Sequence, residues 1–273
     1  MEKSVAGKTI VITGGTLGIG EAAARTLRKA GARVAITGRS ESSAALAASM
    51  GCDFYRVDYA RLSEVRNLAK ILLEKYPRID VLANNVGGVM HERTLTEDGH
   101  EKTFQINHLG GFLLTHLLQE RLEASRAVVI NTASGAHHMG RLDLEDLENA
   151  RKYSAFRSYG TAKLMNILHA SELNRRFKNV KSVSFHPGVV ATGFGRAGSP
   201  LMRFLYSNPL KGLFMISPEK GADTLNWLAA SEPGQDWTPG EFYFKRKTGK
   251  KTRQASDADL AKKLWDASMS VLG

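Results

Sequence analysis

The sequence predicts an α/β protein: a single domain built on a doubly wound parallel sheet with helices on both faces. Two observations carry this. Short β-branched runs alternate with longer helical stretches along all 273 residues, and strands separated by helices pair in parallel through right-handed crossovers. No internal repeat, low-complexity tract or linker divides the chain. Such a sheet binds ligands at the carboxyl ends of its strands, near the point where strand order reverses.

The elements follow in order. "KTIVIT" (8–13) is a strand, and a helix runs through "GEAAARTLRKAG". "RVAIT" (33–37) is the second strand, with a shorter helix around "SAALAAS". The strands "DFYRVD" (53–58) and "DVLANN" (80–85) flank the helix "LSEVRNLAKILLEKY". A long helix near 98–122 leads to the strand "RAVVINTA" (126–133). A helix through "RSYGTAKLMNIL" precedes the strand "VKSVSFHP" (180–187). The strand "EFYFK" and the helix "DADLAKKLWDASMSVL" come last. Residues 187–219 read as an irregular, Gly- and Pro-containing substrate lid. Cofactor binding is expected in about 1–125, and catalysis with substrate binding in about 126–273.

Composition narrows the class. Hydrophobic residues make up 42% and charged residues 24%, ordinary for a soluble globular protein. The single cysteine, Cys52, excludes an internal disulfide and fits a reducing compartment. "MEKSVAGKTIVITGG" lacks the apolar core of a signal peptide, and no stretch reaches the roughly 20 apolar residues of a membrane span. A cytoplasmic protein with no transmembrane segment is expected. The net charge of +11 favours polyanionic partners, and six of the cations lie in "KRKTGKKTR" (245–253). That cluster reads first as a solvated loop, with docking to a partner or membrane surface left open. Without interleaved aromatics, a recognition helix or zinc spacing, nucleic acid is not expected. His137 and His138 have no third ligand at a suitable spacing, so no metal is expected.

"TGGTLGIG" (13–20) follows the first strand and opens the first helix. Gly14 permits a tight turn, Gly18 a close backbone approach to a pyrophosphate, and Gly20 close helix packing. The helix N-terminus adds free N–H groups and a favourable dipole. This is a Rossmann-type signature, with spacing Gly-x-x-x-Gly-x-Gly rather than Gly-x-Gly-x-x-Gly. At the end of the second strand, NAD enzymes place an acid on the ribose 2′-hydroxyl. Here Gly38 holds that position and Arg39 follows. A guanidinium can grip a 2′-phosphate bidentately, so NADP(H) is expected, although an arginine there is also an ordinary surface residue.

Tyr-x-x-x-Lys occurs twice, at Tyr159/Lys163 and Tyr243/Lys247. A helix brings residues four apart to roughly 5–6 Å, whereas a strand holds them about 13 Å apart. Tyr243 lies in a β-like run, where edge packing and solvation are expected. Tyr159 is therefore the candidate. Strand ends deliver Ser134 ("NTAS") and "NNVGG" (84–88) to the same edge of the sheet, and Asn107 lies within the long helix.

With these motifs, the chain resembles the classical short-chain dehydrogenase/reductases over nearly its whole length. Within that family it is most similar to the retinol-dehydrogenase-like branch. The long interval between Ser134 and Tyr159, "GAHHMGRLDLEDLENARKYSAFRS", carries that likeness, with "NHLGGFLLTHLL" and "SYGTAKLMN". The resemblance implies that Tyr159 is the general acid in reduction and the base in oxidation. Lys163 would favour its phenolate and bond the nicotinamide ribose. Ser134 would orient the substrate oxygen, and Asn107 would place a water linking Lys163 to solvent. It assigns Gly14, Gly18, Ile19 and Gly20 to the pyrophosphate loop and Asp58 to the adenine amino group. Asn84 and Val86 would lie on the adenosine side, and Val190 and Thr192 would hold the nicotinamide carboxamide. The chain departs from the pattern at Val86, where alanine is common, and at Ala133, often a second serine. The apolar N-terminal segment of membrane-anchored relatives has no counterpart.

The Leu, Met, Phe and Tyr content of the expected lid suggests an apolar alcohol or carbonyl substrate, although the same residues could simply pack the lid. The resemblance leaves a homo-oligomer open. Two functional readings stand: an NADP(H)-dependent oxidoreductase, and a non-catalytic NADP(H)-binding redox sensor or interaction protein. The complete tyrosine, lysine and serine set favours the enzyme.

Overall fold

The computed structural model describes residues 4–190 and 216–273. Its strands are β1 (Thr9–Ile12), β2 (Arg33–Gly38), β3 (Asp53–Arg56), β4 (Val81–Asn84), β5 (Val128–Thr132), β6 (Lys181–His186), β7 (Phe242–Phe244) and β8 (Lys247–Thr248). They pair in the order β3-β2-β1-β4-β5-β6-β7-β8. All pairs are parallel except β7 with β8. The chain runs outward from β1 to β3, then returns to β4 on the other side of β1. That reversal opens a crevice at the strand ends.

The helices are α1 (Gly18–Lys29), α2 (Ser42–Met50), α3 (Leu62–Lys75), α4 (Lys102–Phe104), α5 (Gly110–Leu117), α6 (Gln119–Ser125), α7 (Ala155–Arg176), α8 (Pro218–Ala230) and α9 (Ala258–Leu272). Side chains alternate across each strand, so a sheet covered on both sides needs apolar residues at every position. Ile10 and Ile12 join Ala23 of α1 and Leu225 of α8 on one face. Val11 joins Leu68 of α3, Phe112 of α5 and Leu164 of α7 on the other. α9 covers α7: Trp265 packs edge-on against Phe112 at 4.8 Å and Phe177 at 5.8 Å.

Three expectations need correction. The long helix begins at Lys102, not near 98, and a five-residue π-turn, Gln105–Leu109, separates α4 from α5. Buried Glu101 fixes this start by accepting from the N–H groups of Thr103 and Phe104 at 2.7 and 2.8 Å. Residues 218–219 are helical, because Ser217 caps α8 and Pro218 occupies its first turn. Of the expected lid, 191–215, with Thr192, lies outside the described residues. The basic cluster forms part of a hairpin, not only a loop. Lys245 and Arg246 have φ of 52° and 59°, the left-handed pair that a two-residue hairpin turn needs. Arg246 bonds Asp223 at 2.8 Å and Lys251 pairs with Glu241 at 2.8 Å. Among the described residues, no helix is long and apolar enough to cross a membrane.

Trp265→Ala is expected to cost about 3–5 kcal/mol in denaturant unfolding, since it empties the contact between α9 and α7.

Candidate active site

The glycine loop closes on itself in a way that excludes side chains. Gly14 and Gly18 have φ of 67° and 55°. A Cβ on Gly20 would lie 2.2 Å from the Gly14 carbonyl oxygen, and one on Gly15 would lie 2.5 Å from Ile36 Cγ2. The residue before α1 is Leu17, which offers no capping side chain, so the first helical N–H groups are left for another acceptor. This cradle fits the diphosphate of a dinucleotide. Asn85 holds it, donating from Nδ2 to the Thr13 carbonyl at 3.0 Å. Thr13 Oγ1 in turn accepts from the N–H groups of Asn85 and Val86.

Val86, Ile19 and Val190 lie beside this loop, whereas Asp58, Arg39 and Asn84 stand at the ends of neighbouring strands. Val86 packs on it: its Cγ2 would meet a Cβ on Gly14 at 3.1 Å. Ile19 and Val190 close around Gly221 of α8, where a Cβ would meet Val190 Cγ2 at 2.7 Å. Asp58 lies just past β3, and its Oδ1 accepts from the Ala60 N–H at 3.0 Å. Arg39 is exposed beyond the end of β2. Gly38 is buried, and a Cβ there would fall 2.6 Å from Thr16 Cγ2. Asn84 is turned onto α5: its buried amide donates to Thr115 Oγ1 at 2.9 Å and Asn131 Oδ1 at 3.0 Å. That places its side chain in the interior, whereas Asn85 touches the loop.

Tyr159 and Lys163 occupy α7, which is buried on nearly every side from Ser158 to Leu173. Lys163 Nζ lies 5.4 Å from the Tyr159 ring centroid and donates to the Thr132 carbonyl at 3.2 Å, at the end of β5. Burial pushes the Lys163 pKa down to about 7. The π-turn brings Asn107 to the same place. Its Oδ1 accepts from the Gly88 N–H at 2.9 Å, and its Nδ2 donates to the carbonyls of Gly88 and Thr103. A Cβ on Gly87 would fall 2.5 Å from Asn107 Oδ1 and 2.7 Å from Lys163 Nζ. Only glycine lets these groups converge. Ser134, extended after β5, accepts from the Ala136 N–H at 3.1 Å. His186 stacks on Phe244 nearby, and burial holds its pKa at about 4, so it is neutral.

The long interval before α7 acts as a strap. Tyr153 donates to the Met90 carbonyl at 2.7 Å, and Glu148 accepts from the Glu101 N–H at 2.8 Å. The second Tyr-x-x-x-Lys spacing is different. Tyr243 pairs with Thr248 across the hairpin, so Lys247 lies opposite Phe244. Tyr243 is not at a solvated edge as expected. It is buried in β7, accepts from the Thr238 N–H at 2.9 Å and packs against Trp227. Asn85 and Gly87 were not singled out in the sequence, although both stand in the quoted "NNVGG".

Residues 8–199 match the family model described as short chain dehydrogenase. The chain belongs to that family. It is 44% identical to the Streptomyces protein named "Putative daunorubicin C-13 ketoreductase DnrU", over 98% of this chain and 93% of that one. It is 37% identical to retinol dehydrogenase 14 of Mus musculus, over 98% of this chain and 86% of that one. Among solved structures, an uncharacterized protein from Mycobacterium paratuberculosis superposes with a TM-score of 0.78 at 30% identity, covering 98% and 94% of the two chains. Within the family the chain sits in the retinol-dehydrogenase-like branch. It is an oxidoreductase of alcohol and carbonyl groups with a nicotinamide cofactor.

The lysine has a measurable consequence for the cofactor-free protein. The folded pKa of about 7 lies below the ordinary 10.5, so the unfolded chain binds a proton that the folded chain sheds. This group's contribution to stability therefore rises with pH across that window. Lys163→Met is expected to raise the unfolding temperature at pH 7 and to flatten its rise between pH 7 and 10.

Proposed function

We propose that the protein is an NADP(H)-dependent reductase or dehydrogenase of an apolar alcohol/carbonyl pair, with Tyr159 as proton donor and acceptor. The observation that carries this reading is buried Lys163, which meets Asn107 at side-chain-free Gly87 and lies 5.4 Å from the Tyr159 ring centroid. Bound nicotinamide supplies or accepts the hydride. Tyr159 gives its phenolic proton to the carbonyl oxygen in reduction and removes the hydroxyl proton in oxidation. An isolated phenol titrates near 10, too high for base chemistry at neutral pH. The Lys163 ammonium beside the ring favours the phenolate, and the phenolate in turn favours the ammonium, so the two titrate as a pair. Ser134 is the hydroxyl assigned to the substrate oxygen, where it would stabilise developing charge. Asn107, anchored to Gly88 at both ends of its amide, fixes the backbone beside the lysine where a relay water would bind.

The preference for NADP(H) rests on Gly38 and Arg39. Thr16 leaves no room for an acidic side chain at 38, and the exposed guanidinium that follows can take a 2′-phosphate. A Pseudomonas aeruginosa RhlG/NADP complex, with a TM-score of 0.67 and 25% identity over 88% of this chain and 94% of that one, supports this choice. An apolar substrate is supported by relatives named for retinol and for a daunorubicin ketone.

In fluorescence titrations, Arg39→Ala should weaken NADPH binding about ten- to a hundredfold while leaving NADH binding unchanged. Tyr159→Phe should bind NADPH as wild type does, but lose turnover of apolar aldehydes and ketones by about a hundredfold or more. Tighter binding of NADH than NADPH by the wild type would overturn the cofactor assignment.

A further inference from the structure

Asn166 lies on α7, one turn beyond Lys163, and is 6% exposed. Its Nδ2 faces two carbonyl oxygens, Asn107 O at 2.9 Å and Thr132 O at 3.2 Å. Carbonyls only accept, so the NH₂ group must point that way. Its Oδ1 then faces His108 Nδ1 at 3.2 Å, which must carry the imidazole proton. His108 Nε2 is left to accept from Ser268 Oγ of α9 at 3.1 Å. Every member of this buried chain thus has one consistent assignment: Ser268 to His108, His108 to Asn166, and Asn166 to the two carbonyls. Burial keeps His108 neutral, with its pKa near 4, so the chain carries no charge of its own in the physiological range.

Both carbonyls belong to the proton-transfer site. Thr132 O is also the oxygen to which Lys163 Nζ donates. Asn107 O belongs to the π-turn residue whose side chain converges with that ammonium on Gly87. One amide therefore staples the π-turn to the end of β5 beside the lysine. We propose that Asn166 is a positioning residue for the proton-transfer pair, holding the Asn107 and Thr132 carbonyls in register so that Lys163 and the π-turn keep one arrangement. This rests on reading Tyr159 and Lys163 as that pair. A residue with only a packing role at 166 would need volume but no donors.

Asn166→Asp keeps the shape and, when ionised, removes both donors; Asn166→Ala removes shape and donors together. Hydrogen-exchange mass spectrometry of the full chain tests the staple with no substrate required. In both variants, exchange across 103–110 should rise at least tenfold, while exchange across α1 stays as in wild type. With apolar aldehydes and NADPH, kcat should fall at least tenfold with KM for NADPH changed less than threefold, and the solvent deuterium isotope effect on kcat should increase. Wild-type exchange across 103–110 in Asn166→Asp would overturn the inference, as would a kcat loss with an unchanged isotope effect. Tyr159→Phe, run alongside, separates the two ideas. Retained turnover in Tyr159→Phe would sink the reading of the pair while leaving the exchange result to decide the staple.

Discussion

The seat of one buried ammonium organises the centre of this molecule. Lys163 is 2% exposed and has the Thr132 carbonyl as acceptor at the end of β5. A charge removed from water is unfavourable unless fixed dipoles replace the solvent. Here they do so only in part, since burial pulls the Lys163 pKa down to about 7; two elements supply dipoles and a third carries the charge. β5 presents a carbonyl, the π-turn swings Asn107 toward the loop after β4, and α7 carries the lysine itself. Gly87 has no side chain because the Asn107 amide and the ammonium occupy the space where one would be. The site is therefore built from backbone and amide groups, with glycine making room for them.

The same economy of side chains appears at the other end of the crevice. Gly14, Gly15 and Gly20 let the loop after β1 fold tightly against β2 and against itself. Asn85 links the two ends, since its amide reaches the loop carbonyls while Thr132 Oγ1 donates to its Oδ1 at 3.2 Å. Thr132 thus contributes its hydroxyl to Asn85, which holds the glycine loop, and its carbonyl to the lysine. A displacement of β5 would be felt at both places. Burial of the sheet on both faces holds β5 in one register, and a working site tolerates only about 0.5 Å of displacement.

Most of the architecture was legible because parallel strands and their helices differ so strongly in period and residue type. The glycine loop and the Tyr-x-x-x-Lys pair can be placed from spacing, and Ser134 from the strand that precedes it. What remained hidden was interruption and direction. The π-turn at Gln105–Leu109 contains no glycine or proline and lies between helical residues on both sides, so no residue type marks the break. The sequence places two asparagines side by side but not which one faces the loop, and Asn84 turned inward to Thr115 and Asn131. Asn166 looks like any polar residue on a helix until the carbonyls of Asn107 and Thr132 are seen beside it. α8 is absent from the expected elements, although "SPEKGADTLNWLAA" carries its start signal, a serine cap before proline and glutamate, because the irregular stretch before it draws the eye past it.

The central claim is that Tyr159 and Lys163 form one titrating pair. Its most direct measurement is the tyrosinate absorbance of wild type minus Tyr159→Phe as a function of pH, with NADP+ present. A single phenol ionising well below the ordinary value near 10, and returning to that value or above in Lys163→Met, is the expected result. A difference curve that rises only with the other tyrosines, and is the same in Lys163→Met, would contradict it.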